Sequence, residues 1–146
     1  MEKSAKRELT FKILYSGQIN KEMNDEELQI FLGENNLKER DKEDIQKTIN
    51  AINNNIEDIT EKISKNLKDN WTIDRISKID KALLILAIYE IQYKEIPFKV
   101  VINEVVELAK KYGEEAGTKL LLPMIIMLIV VMAIIMVPVV KELNIE

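Results

Sequence analysis

Four cations fall within the first twelve residues: Lys3, Lys6, Arg7 and Lys12. On a helix the first three are spaced three and four apart and share a face, which could track a phosphate backbone. Glu2 and Glu8 oppose them locally, and the following fifty residues are acidic. Single-stranded RNA also needs planar groups on which splayed bases can stack, and Tyr15, Tyr112 and Arg7 are the candidates. Lys110, Lys111 and Lys119 lie near Tyr112 in sequence. On charge alone, a solvated N-terminal helix is the better account of the first cluster. For Tyr112, packing at the end of an apolar stripe and stacking on a base weigh equally.

Other chemistries are poorly served. The chain has no His and no Cys, which excludes disulfides, thiolate or imidazole metal sites, Ser-His-Asp triads and cysteine nucleophiles. Glu90 and Glu104 could be taken for an acid/base pair. Without histidine, a metal partner set or a glycine-rich phosphate loop, surface or inter-helix hydrogen bonding explains them better. Asn103, among Val and Ile, is read as satisfying a buried backbone group. Neither a cofactor nor a metal is expected.

These side chains need a scaffold. At 146 residues the chain is one domain's worth, and four Gly, three Pro and 32% charged residues favour helices on short connections. With 21 basic against 25 acidic residues the net charge is -4, so indiscriminate coating of nucleic acid is excluded and any such site is a local patch. The opening residues lead into no apolar run, so no secretory leader is expected. The lack of cysteine fits a cytoplasmic protein.

Ala5, Leu9, Ile13 and Leu14 mark the apolar side of a first helix ending near Gly17. Asn24 or Asp25 caps a second, with Leu28, Phe31 and Leu32 inward and Gly33 near its end. Ile45, Ile49, Ile52, Ile56, Ile59, Ile63 and Leu67 form a heptad-like seam, with Asp41 as N-cap. A long core helix in a bundle is preferred to a dimeric coiled coil, because the repeat is short and other helices can cover it. Asn53, Asn54 and Asn55 lie off the seam and are read as solvated. Asn70-Trp71-Thr72 divides two helical halves, residues 1–69 and 70–119. Asp80 caps a helix apolar on most sides, through Ala82, Leu83, Leu86, Ala87 and Ile91. Pro97 opens the next helix, whose stripe is Val100, Val101, Val105, Leu108, Ala109 and Tyr112 and whose stop is Gly113.

Residues 120–140 depart from this pattern, with no charged or polar side chain. As one helix they would run roughly 31 Å, about a bilayer's hydrocarbon thickness. Between Pro123 and Pro138, however, only 14 residues remain, a length more typical of a buried core helix. Burial is the preferred reading; a C-terminal membrane anchor on a cytosolic helical adaptor is the alternative.

Two stretches resemble the bacterial transcription antitermination factor NusB family. The first is Ala5-Lys6-Arg7-Glu8-Leu9 through Ile13-Leu14-Tyr15-Ser16. The second runs Trp71-Thr72-Ile73-Asp74-Arg75-Ile76, Ile79-Asp80-Lys81-Ala82-Leu83, Ala87-Ile88-Tyr89-Glu90 and Pro97-Phe98-Lys99-Val100-Val101-Ile102-Asn103-Glu104, closing with Glu107-Leu108-Ala109-Lys110-Lys111-Tyr112-Gly113. The likeness ends near Lys119. Where the family continues Ser-x-Lys-Phe-Val-Asn-Gly, this chain has Gly117-Thr118-Lys119-Leu120-Leu121-Leu122-Pro123.

The resemblance implies an all-α bundle of two small helical subdomains within a single domain and no catalysis. It also implies binding of boxA-type RNA with a small-subunit ribosomal protein, NusE, in the RNA polymerase elongation complex. Lys6 and Arg7 match basic family positions, Lys3 roughly so, and Tyr112 matches the aromatic before the glycine. Leu120 replaces an aromatic and cannot stack as a ring does, so weakened RNA affinity is expected. Asp80 matches an acidic position that could meet a basic partner; its role as a helix cap is an equally good account and is compatible with that contact. Monomer and homodimer both remain open.

Overall fold

The computed structural model describes residues 1–19, 25–66 and 76–115. They form six helices: α1 (Lys3–Ile19), α2 (Asp25–Glu34), α3 (Glu39–Asn54), α4 (Ile56–Asn66), α5 (Lys78–Gln92) and α6 (Phe98–Glu115). No strand occurs among the described residues. The chain divides into two compact units, Met1–Ile56 and Glu57–Glu146. The Asn70-Trp71-Thr72 break, Lys119 and the apolar segment 120–140 lie outside the described residues. None of the described helices is long and apolar enough to cross a membrane.

In the first unit α1 packs on α3. Leu9, Ile13, Leu28, Leu32, Ile45 and Ile49 form the core, with Leu14, Phe31 and Leu37 against it. The α1 stripe is wider than its spacing suggests. Arg7, Thr10 and Phe11 are also buried, whereas Ala5 is exposed, and the helix continues through Gly17 to Ile19. Burial of residues 7, 9, 10, 11 and 13 covers more than half the helix circumference, which marks a helix covered on more than one side. After α2 the chain turns at Asn36, whose φ of 54° is left-handed and whose N–H donates to the Gly33 carbonyl. An asparagine tolerates that conformation better than most residues.

The isoleucine seam is two helices rather than one. Asn55 leaves helical geometry at φ -115°, ψ 11°, and its N–H bonds to the Ile52 and Asn53 carbonyls. Its side-chain amide also donates to the Ala51 carbonyl at 2.8 Å. Asparagine's affinity for nearby backbone groups ends the helix that the heptads alone would continue. Asn55 is therefore half-buried and engaged, while Asn53 and Asn54 are solvated as expected. Ile45, Ile49 and Ile52 are buried in the first unit, and Ile59 and Ile63 in the second. Ile56 is half-buried and Leu67 lies outside the described residues, so among the described residues the seam is mostly used within the chain rather than open for a dimeric coiled coil. Nor does Asp41 cap α3: Lys38 occupies that position and Asp41 sits three residues inside.

In the second unit α5 packs on α6. Every residue of α5 from Ile79 to Glu90 is buried except Lys81, consistent with a helix apolar on most sides. Its cap is Ser77, whose hydroxyl accepts from the Asp80 N–H at 3.1 Å, so Asp80 stands three residues beyond the cap it was expected to form. Pro97 precedes α6, its carbonyl accepting from the Val100 and Val101 N–H groups. Val101, Val105, Leu108 and Ala109 face inward, but Val100 is 45% exposed. Val100 lies about 100° round the helix from Val101, outside the arc that Val101, Val105 and Leu108 define. The helix runs past Gly113 to Glu115.

Candidate nucleic-acid interface

α1 places Lys3, Lys6 and Arg7 on one arc together with Thr10, as the spacing requires. That arc does not form an open cationic strip. Thr10 is buried, its hydroxyl donating to the Lys6 carbonyl at 2.8 Å, and Arg7 is only 7% exposed. The Lys6 ammonium lies 2.8 Å from Asp44 and 3.3 Å from Asp41, both on α3. The Met1 amino group is 3.8 Å from Asp41. The hydrogen bond from Lys6 holds the Asp44 carboxyl below its usual range, and the same bond raises Lys6. The face predicted for phosphates is therefore partly turned into the protein and partly engaged by acids. Lys3 and Lys12 remain exposed on α1. Tyr15 is half-buried and stacks on Phe11, ring centroids 6.1 Å apart and 21° between planes, so one of its faces is taken.

The second cluster is at the C-terminal end of α6. Lys110 and Lys111 are exposed and Tyr112 is half-buried. Lys110 pairs with Glu107 at 3.7 Å, and the Lys111 ammonium sits 5.6 Å from the Tyr112 ring centroid. A ring with a cation beside it could stack a base while the cation meets its phosphate. α1 and α6 belong to different units.

Asp80, the expected partner contact, is buried. Burial pushes its carboxyl up to about 6, against a side-chain hydrogen bond with Ser77 that pulls it down. A carboxylate held so far from water would gain from any cation that reached it.

Two constellations were not legible in advance. The Lys6–Asp41–Asp44 group joins residues nearly forty positions apart, and no local spacing announces it. The other joins α4 to Tyr93, the residue that caps the C-terminal end of α5. The Tyr93 hydroxyl donates to the Asp58 carboxylate, which also accepts from Lys62 at 3.0 Å. Burial and that bond push the Tyr93 phenol up to about 12, while the bonds from Tyr93 and Lys62 lower Asp58. Tyr89 stacks on Tyr93 at 5.9 Å, and Lys94 lies 5.9 Å from the Tyr89 ring. The i, i+4 spacing of the two tyrosines was the only signal available. Among the described residues no group of acidic side chains could hold a metal ion.

A family model described as the NusB family matches residues 4–121. The transcription antitermination protein NusB of Acetivibrio thermocellus is 42% identical over 120 residues, covering 81% of this chain and 82% of that protein. The NusB of Methylacidiphilum infernorum is 44% identical over 115 residues, covering 77% and 80%. Among solved structures, T. maritima NusB superposes with a TM-score of 0.71 at 28% identity, covering 88% of this chain and 90% of that one. A crystal structure of antitermination factors NusB and NusE in complex with dsRNA gives 0.70 at 25% identity, covering 88% and 97%.

Proposed function

The chain belongs to the NusB family, and from that premise we propose that it is a transcription antitermination factor binding boxA-type RNA together with the ribosomal protein NusE. It acts in the RNA polymerase elongation complex, as a binding protein rather than an enzyme, in the cytoplasm and as a single NusB-like domain. The observation that carries the reading is the likeness to a NusB solved with NusE and dsRNA, which extends over 97% of that chain.

The geometry supports two RNA contacts. On α1, Lys3 and Lys12 present charge to solvent, and Lys6 joins them when it leaves its acids. Arg7 supports this helix from within. On α6, Lys110, Lys111 and Tyr112 supply cations beside a ring, and Lys119 extends that cluster in sequence. Asp80 is the candidate contact for a basic surface of NusE.

The test is RNA binding with and without NusE. Affinity rises when NusE is added and falls steeply with salt, because released counterions drive phosphate binding. Lys3→Glu with Lys12→Glu weakens boxA binding by about tenfold or more at moderate salt, since two attractive charges become repulsive. Both side chains are exposed, so the fold survives; Arg7→Glu would confound the measurement by placing a carboxylate in a buried position. Unchanged boxA affinity in the double variant would remove α1 from the interface.

A further inference from the structure

Within the α1 arc Lys6 is half-buried and already engaged. Its ammonium contacts Asp44 at 2.8 Å and Asp41 at 3.3 Å, two carboxylates three residues apart on α3. The two carboxylates offset the charge of this ammonium, so a phosphate that recruits Lys6 must first compete with them. Arg40 and Lys47 act on Asp44 as well, and the Met1 amino group approaches Asp41. The Asp44 side chain is nevertheless 45% exposed and that of Lys6 29%, so water and ligand both reach the contact. An ion pair of this exposure is weak enough for a well-placed phosphate to displace.

We propose that Asp41 and Asp44 are specificity-determining residues that withhold Lys6 from RNA bound out of register. An RNA touching the protein through scattered phosphates must displace two carboxylates to recruit Lys6 and gains little. One fixed by the rest of the interface sets a phosphate against Lys6, and the ammonium exchanges partners. Discrimination comes from a repulsive element set against the wrong ligand. The inference rests on the reading that α1 meets RNA.

The experiment compares boxA-type RNA with an oligouridylate of equal length, binding to the full chain in the presence of NusE over a salt series. Asp44→Asn keeps the side-chain shape and removes the closer of the two carboxylates from Lys6, leaving Asp41. Glu43→Gln makes the same charge change on an exposed neighbour in α3. Asp44→Asn tightens oligouridylate binding about three- to tenfold and steepens its log affinity against log salt by about 0.7, one extra phosphate contact on a single strand. BoxA binding tightens less, so the gap between the two RNAs narrows. Glu43→Gln changes little, and in a Lys6→Gln background the gain from Asp44→Asn disappears. The inference is overturned if Asp44→Asn matches Glu43→Gln, or if its gain persists without Lys6, while the parent chain still binds boxA RNA. If neither the parent nor the variant binds any RNA, the proposed function fails first and takes the inference with it.

Discussion

At the scale of single residues, charge and burial conflict most sharply at Asp80. Its pKa rises from 3.8 to about 6, so the folded protein binds a proton more tightly than the unfolded chain does. The sign follows directly. Stability is full below about pH 4 and falls as pH climbs through 6, because the buried carboxyl must then ionise. A shift of this size corresponds to about 3 kcal/mol, and partial screening with its favourable place near a helix N-terminus reduces that to about 1–2. Asp80→Asn therefore raises stability by about 1–2 kcal/mol at pH 7.5 and by nothing near pH 4, measured by urea unfolding at both. If Asp80 meets a cation of NusE, the same variant binds NusE more weakly, a trade of function for stability. Equal stabilisation at the two pH values would show that the carboxyl is not strained. Glu95 is a second local cost, since its φ of 53° is left-handed. A β-branched residue fits badly there: Glu95→Val lowers stability by about 1–2 kcal/mol while Glu95→Gly does not, by thermal unfolding.

At the scale of elements, helix boundaries depend on caps. Ser77 accepts the Asp80 N–H, and Ser77→Ala costs about 1 kcal/mol, read as a lower urea midpoint at unchanged slope. No such change is expected at Lys38, which makes no side-chain cap bond. The sequence pattern located α1, α2, α5 and α6 because their apolar residues recur at the helical period. It was less informative about their ends. Asp41 and Asp80 are chemically apt N-caps, but Lys38 and Ser77 stand three residues earlier, at the point where the backbone leaves extended geometry. Periodicity alone ran the isoleucine seam through Asn55, because a heptad records side-chain spacing and is blind to an amide that bonds back to the main chain.

At the scale of the whole molecule, each unit has its own interior. Leu32 in the first and Leu83 in the second are fully buried, so each Leu→Ala change costs about 2–5 kcal/mol by urea unfolding. A value below 1 kcal/mol at either site would show that its surroundings are not close-packed. Much of the molecule was determined by residue order alone: an all-α fold class, family membership readable from the Ile102-Asn103-Glu104 to Gly113 region, and the absence of thiol and imidazole chemistry. These are local properties, carried by period, composition and short motifs. Tertiary structure decided which charges are available. The shared arc of Lys3, Lys6 and Arg7 follows from helical spacing, but the burial of Arg7 is a matter of tertiary packing and the capture of Lys6 by Asp41 and Asp44 follows from α1 packing on α3. Helical geometry says which side chains lie together on one face; only the packing of another helix decides whether that face meets water, apolar groups or carboxylates.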